Sequence, residues 1–210
     1  GERNRTYDLP SYITDSDCRL TLYQNCRNTS AISQTSLTPL QLPQKRWSGS
    51  KVIDPWSVRV EKPVFHLLDD ESLIVETVNK VLDDLQAKDV TDIVLLTVGT
   101  MAYTALRDGL ESLDEGADKY WYYCYKRKRY RMTTAQRFKG LEATAIIMVD
   151  LKPDSFAGKN GMVFYVGASR AKLFLDFVAV IPEGEYKNVI QSVKETEPVN
   201  KSAKRLRNVI

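Results

Sequence analysis

The sequence predicts an α/β domain built around a mainly parallel sheet. Residues 92–97 and 145–150 are largely apolar runs, as expected of strands buried on both faces. Residues 71–86 instead place apolar side chains at helical spacing, and the acids at 69–71 favour a helix start. Strands that alternate with helices are typical of parallel sheets, whose ligands bind at the carboxyl ends of the strands.

The remaining elements are predicted from shorter patterns. An irregular lead-in at 1–17 precedes one α/β domain at 18–182, and a tail at 183–210 adds a helical stretch and a basic end. Residues 34–62, rich in Ser, Pro and Gln, predict a long surface excursion. The other predicted strands are 19–22, 64–68, 131–135 and 173–181, and the other predicted helical segments are 30–32, 100–113 and 162–172.

The composition is that of an ordinary globular domain. Of 210 residues, 43% are hydrophobic and 27% charged, the net charge is +3, and no apolar run has the length of a membrane span. Cys18, Cys26 and Cys124 lack metal-ligand spacing, which argues against a structural zinc and for a reduced, cytoplasmic setting. We therefore expect neither a membrane partner nor a metal held by this chain.

A loop-like string at 134–142 carries the first candidate site. Gly140 lets the backbone turn tightly and approach a ligand, and Glu142 can accept hydrogen bonds from ribose hydroxyls. Thr134, Gln136 and Arg137 are donors suited to a phosphate backbone. The alternative is a plain strand-to-strand loop with a glutamate that starts a helix.

A second string, at 165–171, centres on Arg170. Arginine keeps its charge and binds phosphate through paired N–H donors, and the small neighbours Ala168, Ser169 and Ala171 leave room for a ligand. The sequence places Arg170 in a helix, where the alternative is an arginine solvated on the helix surface. Both strings adjoin predicted strands, which is compatible with a ligand edge of the sheet. No G-x-x-x-x-G-K-[ST] phosphate loop occurs in the chain.

Two further segments allow more than one interpretation. Arg27, within 23–29, follows a predicted strand and either faces a phosphate or belongs to an Asn-rich turn with a helix cap. The segment 119–131 interleaves basic with aromatic residues, a composition suited to single-stranded nucleic acid. Its alternative is a β-hairpin with one aromatic face packed and one charged face in water.

Taken together, these strings resemble the second RecA-like motor domain of superfamily 1 helicases of the UvrD/Rep type. Residues 22–29 resemble helicase motif IV, residues 134–142 motif V and residues 163–172 motif VI. The resemblance covers about residues 18–181 and keeps the family's motif order. It implies a RecA-like, three-layer domain of the phosphate-loop NTPase type that itself lacks the phosphate loop.

The resemblance implies an ATP site shared with an N-terminal RecA-like domain of the same protein, which would also hold Mg²⁺. Arg27 and Arg170 would reach the γ-phosphate from across the cleft between the two domains. Glu142 would bind the ribose of ATP from a loop shaped by Gly140.

The same resemblance implies single-stranded DNA as the second ligand. Thr134, Gln136 and Arg137 would lie toward the DNA and couple it to the nucleotide. Thr97, at the end of a predicted strand, is a weaker candidate for a DNA contact.

The chain departs from the family pattern in several places. Cys26 stands where the family often has Tyr, and Gln136 where many members have His. Only residues 112–130 occupy the position of the family's large inserted subdomain, so a duplex-gripping role of that insertion is in doubt. The first motor domain is absent as well, and we expect the chain to be the C-terminal part of a longer protein.

We therefore expect no appreciable ATP hydrolysis from this chain alone, and DNA-stimulated hydrolysis from the longer protein. On this interpretation Arg170→Ala abolishes turnover and leaves folding intact. One alternative is a nucleic-acid-binding module without motor activity, gripping through 119–131, and another is an RNA helicase domain. A stand-alone α/β enzyme is disfavoured because the sequence shows no nucleophile–base pair and no metal cluster.

Overall fold

The computed structural model describes residues 24–25, 28–40, 51–52, 61–115, 118–186, 189 and 197–198. The predicted lead-in at 1–17, the strand at 19–22 and the basic end of the tail lie outside these residues. So do most of the predicted surface excursion and Arg27 itself.

The centre of the fold is a mainly parallel sheet, as predicted. Its strand order is β10-β3-β9-β8-β4-β7-β6-β5, and only β5, β6 and β7 pair in antiparallel fashion. A separate short ladder pairs β1 (Gln24–Asn25) with β2 (Lys51–Val52). The strands of the large sheet are β3 Val64–Leu68, β4 Ile93–Thr97, β5 Leu110–Glu115, β6 Asp118–Tyr125, β7 Lys128–Thr134, β8 Ala143–Leu151, β9 Ala171–Val180 and β10 Glu197–Pro198.

Helices cover both faces of the sheet, which confirms the three-layer α/β class. Helices α1 (Ser30–Leu37) and α3 (Gly158–Ala168) pack on one face, and α2 (Ile74–Ala87) packs on the other. Each residue of β4 is buried, because successive side chains point to opposite faces and both faces are covered. The predicted continuous apolar strands at 92–97 and 145–150 are therefore confirmed.

The acidic residues that precede helix α2 cap the turn from which the helix starts. The Asp70 carboxylate accepts a 2.7 Å hydrogen bond from the Ser72 amide, which starts the 3₁₀ turn Glu71–Leu73. Hydrogen bonding to Ser72 lowers the pKa of Asp70 and so favours its charged, capping form. Val78, Leu82 and their apolar neighbours are then buried against the sheet, as the helical period predicts.

The predicted helix at 100–113 is wrong. The chain instead forms two 3₁₀ turns, Met101–Tyr103 and Arg107–Gly109, and then enters β5. Pairing of β5 with β6 overrides the local preference, since a partner strand supplies the backbone hydrogen bonds that a helix would have made. Gly109 fits this site because a Cβ there would lie 2.5 Å from the Tyr123 ring.

The predicted surface excursion also begins later than expected. Residues 34–37 continue α1, and the 3₁₀ turn Thr38–Leu40 follows, with Pro39 buried. Pro39 packs directly on Gly161 of α3, where a Cβ would come within 3.0 Å of the Pro39 carbonyl oxygen. This segment is therefore part of the core contact between α1 and α3.

The segment 119–131 forms the hairpin of β6 and β7, which agrees with the structural alternative stated for it. Tyr123 and Tyr130 are buried against α2. The Tyr123 hydroxyl donates to Asn79 at 2.9 Å, and the Tyr125 hydroxyl donates to Asp83 at 3.0 Å. The tyrosines on one face of the hairpin therefore pack on α2. Arg129 lies on the opposite face, as does its pairing partner Cys124.

Replacing Tyr123 by phenylalanine should destabilise the domain by about 1 kcal/mol. The ring still fills its site, but the Asn79 side-chain oxygen loses its donor in a largely buried place. Denaturant unfolding of the chain measures the change. Tyr103→Phe is the matched control, since the Tyr103 side chain is almost fully exposed and its hydroxyl should contribute nothing. Equal midpoints for the two variants would contradict the packing of the hairpin on α2.

Candidate functional site

Among the described residues, those singled out in the sequence lie at two opposite edges of the sheet. Thr97 and Thr134 are paired neighbours at the carboxyl ends of β4 and β7. Glu142 and Arg170 instead precede the first paired residues of β8 and β9, at the amino edge. The expectation of a carboxyl-edge ligand site is therefore wrong for Glu142 and Arg170, because their connecting segments cross back over the sheet before the next strand begins.

At the amino edge, three distant parts of the chain meet around Arg170. The Asn28 side-chain amide donates to the Ser169 carbonyl at 2.9 Å and to the Ala171 carbonyl at 2.5 Å, spanning 141 and 143 residues of sequence. The Ala143 amide donates to the Arg170 carbonyl at 3.1 Å. The residues following Arg27 and Glu142 are thus bonded to the backbone that carries Arg170.

Arg170 is buried and lies outside the helix, so the predicted helical placement and the alternative of an arginine solvated on the helix surface are both wrong. Helix α3 ends at Ala168, and Arg170 lies in the turn before β9 with 8% of its surface exposed. Its Nε donates to the Val166 carbonyl and its Nη2 to the Ser169 hydroxyl, each at 3.1 Å. These contacts place a permanent positive charge at the negative end of the α3 dipole, where it is favoured.

Gly140 and Glu142 end the connection between β7 and β8. Gly140 has φ +91°, a left-handed conformation that favours glycine, and nothing lies within 4 Å of where a Cβ would stand. Glu142 is half-buried and immediately precedes Ala143, the residue bonded to Arg170. Glu142 is therefore close in the fold to Arg170, and Gly140 lies two residues before Glu142.

Residues 135–142, which we call the crossover, link the two edges. The crossover starts at the carboxyl edge, where the Ala135 amide donates to the Thr97 carbonyl at 3.0 Å. The Arg137 amide donates to the Thr134 hydroxyl at 3.2 Å, and the Arg137 side chain is exposed. Phe138 is buried at the centre of the crossover, with the Arg131 guanidinium 5.8 Å from its ring centre.

Helix α3 packs directly on the crossover. A Cβ on Gly167 would lie 3.1 Å from the Cβ of Ala135 and 2.8 Å from the Cε of Met148. Glycine at this position lets the last turn of α3 approach the first residue of the crossover. The last turn of α3, which precedes Arg170, is therefore in close contact with the start of the crossover.

Thr97 lies inside the protein. It is fully buried, its hydroxyl donates to Asp150 at 2.6 Å, and the same oxygen accepts from the Gly99 amide at 3.2 Å. The other Asp150 oxygen accepts from the Ala105 amide at 3.0 Å. Thr97 thus has no exposed surface for a direct DNA contact, and the exposed groups at this edge include Gln136 and Arg137.

Sequence reasoning misses two residues of these edges. The sequence assigns Asn28 only to a turn and cap, although Thr29 is the residue whose hydroxyl accepts from the Ile32 amide to cap α1. Asp150 has φ +60°, and its carboxylate joins the ends of β4 and β8. In the sequence, Asp150 is marked only as an acid at the end of an apolar run, which is a weak indication of its role.

No protein-family profile matches the chain, and no curated protein has a significantly similar sequence. The fold is similar to that of the C-terminal domain of a possible DNA helicase from Lactobacillus plantarum, at 14% identity and a TM-score of 0.48, over 85% of this chain and 96% of that one. It is also similar to the large terminase of a thermophilic bacteriophage, at 12% identity and a TM-score of 0.40. That alignment covers 83% of this chain and 49% of the terminase, so the chain spans about half the terminase length. At these identities and TM-scores the likeness assigns no function.

The described residues contain no group of three or more His, Cys, Asp or Glu side chains placed to hold a metal ion. Among the same residues, no helix combines the length and apolar character needed to cross a bilayer.

Proposed function

We propose that the chain is the second motor domain of an ATP-dependent helicase of the superfamily 1 type, acting on single-stranded DNA. The observation that carries the proposal is that ends of three motif-like strings meet at the amino edge. Asn28 and Ala143, which follow Arg27 and Glu142, are hydrogen-bonded to the backbone around Arg170. The motifs suggest a nucleotide site in the sequence, and their convergence in the fold supports it.

The amino edge supplies one wall of the ATP site in this proposal. Arg170 provides a fixed positive charge for the γ-phosphate, and Arg27, next in sequence to Asn28, provides a second one. Glu142 binds the ribose, and Gly140 shapes its loop. The phosphates and Mg²⁺ are held by an N-terminal RecA-like domain of the same protein.

In this proposal, nucleotide binding has to replace the two hydrogen bonds that the Arg170 side chain makes within the protein. To reach a phosphate, the guanidinium exchanges its contacts with the Val166 carbonyl and the Ser169 hydroxyl for stronger, charge-assisted ones. The resting position keeps the charge satisfied when no nucleotide is present. ATP then favours a closed state, and hydrolysis removes that preference.

In this proposal, the carboxyl edge of the sheet binds the nucleic acid. Gln136 and Arg137 are exposed at the start of the crossover, and Glu142 lies at its other end. Because the crossover contacts α3 at Gly167, a load on DNA can be transmitted to the turn that holds Arg170. This arrangement supports coupling between DNA binding and ATP turnover.

Replacing Arg137 by glutamate should weaken binding of a labelled oligothymidine by the isolated chain about tenfold and lower the salt dependence of binding. The change removes one cation and adds an anion at the proposed DNA edge. Fluorescence anisotropy over a salt series measures both quantities. Lys172→Glu is the matched control, since Lys172 is exposed at the opposite edge. Equal losses in both variants would indicate binding by net charge alone.

The proposal itself is tested by ATP hydrolysis. The isolated chain should show no turnover above a protein-free blank, because its sequence has no phosphate loop. A longer protein that includes the phosphate-loop domain should hydrolyse ATP faster with single-stranded DNA. Robust hydrolysis by the isolated chain would overturn the idea of a shared site. DNA binding without stimulated hydrolysis in the longer protein would favour the module without motor activity.

A further inference from the structure

Tyr103 is the most exposed large apolar side chain among the described residues. Its surface is 89% exposed, whereas the next such residue, Leu141, is 43% exposed. Tyr103 ends the 3₁₀ turn Met101–Tyr103, in the loop that leaves the carboxyl end of β4. The Tyr103 ring therefore takes no part in the core, and its face is accessible to a ligand.

The loop that carries Tyr103 is anchored on both sides. The Tyr103 amide donates to the Thr100 carbonyl at 3.1 Å, which closes the turn. Two residues later, the Ala105 amide donates to the Asp150 carboxylate, and Leu106 is buried at 1% exposure. The backbone on which the ring is mounted is therefore fixed before any ligand binds, which reduces the entropy lost on binding.

Charge divides the carboxyl edge into two halves. The half formed by the ends of β3 and β9 is mainly acidic, with Asp69, Asp70, Glu71 and Glu183 all exposed. Glu71 is paired with the exposed Lys152 at 2.7 Å. The half formed by the ends of β4 and β7 carries two exposed cations, Arg107 and Arg137, and one exposed acid, Asp108. Arg107 also lies against the Tyr103 turn, with its Nη1 3.5 Å from the Ala102 carbonyl oxygen.

We propose that Tyr103 stacks on a base of single-stranded DNA at this edge, while Arg107 and Arg137 contact the flanking phosphates. The proposal rests on the proposed function for its ligand and adds a residue that neither the motif strings nor the fold comparisons assign. An exposed aromatic side chain beside cations is the combination that binds single strands, because every base offers a ring face and every nucleotide a phosphate. The acidic half directs the strand toward β4 and β7.

The test measures anisotropy of a labelled oligothymidine with the isolated chain. Tyr103→Ala should raise Kd about tenfold at fixed salt and leave the salt dependence unchanged, since stacking releases no counterions. Tyr103→Phe keeps the ring and should bind like the unaltered chain. Leu173→Ala is the matched control, an exposed apolar residue at the opposite edge. An abasic oligonucleotide of the same length should bind the unaltered chain and Tyr103→Ala equally.

Several results would overturn the stacking proposal. Unchanged binding by Tyr103→Ala would do so, and if Arg137→Glu still weakened binding, the proposed function would stand. A loss in Tyr103→Phe as large as that in Tyr103→Ala would exclude the ring face as the contact. Oligouridine bound more tightly than oligothymidine would overturn DNA as the ligand. No binding of either oligonucleotide by the unaltered chain would overturn this proposal together with the DNA side of the proposed function.

Discussion

Replacing Arg170 by lysine, in a protein that also carries the phosphate-loop domain, should lower kcat for DNA-stimulated ATP hydrolysis by about a thousandfold or more. Lysine keeps the charge but lacks the planar pair of donors that meets a phosphate in bidentate fashion. In the structure the Arg170 guanidinium donates to the Val166 carbonyl and the Ser169 hydroxyl, and in the proposed mechanism it exchanges these bonds for bonds to the phosphate. Steady-state hydrolysis at saturating ATP, with and without DNA, measures the loss.

The structure changes which variant tests Arg170 best. The sequence predicts that Arg170→Ala leaves folding intact, but the side chain is buried and donates two intramolecular hydrogen bonds. Its removal should cost about 1–3 kcal/mol of stability, so lost activity in that variant has two explanations. Arg170→Lys with an unchanged unfolding midpoint separates them. Lys172→Ala, exposed two residues later, is the control and should retain full turnover.

Undiminished turnover in a folded Arg170→Lys protein would remove Arg170 from the nucleotide site. A proportional loss of turnover and of folded protein would instead assign Arg170 to the structure of the α3 end. The two outcomes are distinguished by measuring kcat per folded molecule, with the folded fraction taken from the unfolding curve.

The elements predicted correctly are those whose pattern is local. Helix α2 shows a helical period behind an acidic cap, and β4 and β8 are apolar along their lengths because both faces of the sheet are covered. The helix predicted at 100–113 is wrong because the structure of this segment depends on pairing with β6 and on the Asp150 carboxylate, neither of which is visible nearby in sequence. The helical placement of Arg170 is wrong for the same reason, since β9 pairing begins at Ala171.

The candidate site is predictable in part. Motif-like strings indicate Glu142 and Arg170, and the fold brings the backbone around them together. The strings do not indicate which sheet edge they occupy, because that depends on where the crossover and α3 pass over the sheet. The string at 22–29 contains Asn28 but does not indicate its role, which consists of hydrogen bonds to residues 141 and 143 positions away.

Replacing Asn28 by alanine should destabilise the isolated chain by about 2–4 kcal/mol. The side chain is buried, and its amide donates to both carbonyls that flank Arg170. Alanine removes both bonds and leaves the Ser169 and Ala171 carbonyls without this donor in a dry site. Denaturant unfolding measures the change. Asn160→Ala is the matched control, since Asn160 is exposed with one bond to Asp154, and it should change stability by less than about 0.5 kcal/mol.

Besides lowering stability, Asn28→Ala should impair ATP turnover at the amino edge and spare DNA binding at the carboxyl edge. Asn28 ties the segment after Arg27 to the Arg170 turn, so Asn28→Ala in the longer protein should lower kcat even where the protein remains folded. Binding of oligothymidine by folded Asn28→Ala should stay unchanged, because the DNA residues lie at the other end of the strands. Equal stability of the Asn28→Ala and Asn160→Ala chains would contradict the double hydrogen bond. A folded Asn28→Ala protein with full turnover would show that this bond holds the fold without positioning Arg170.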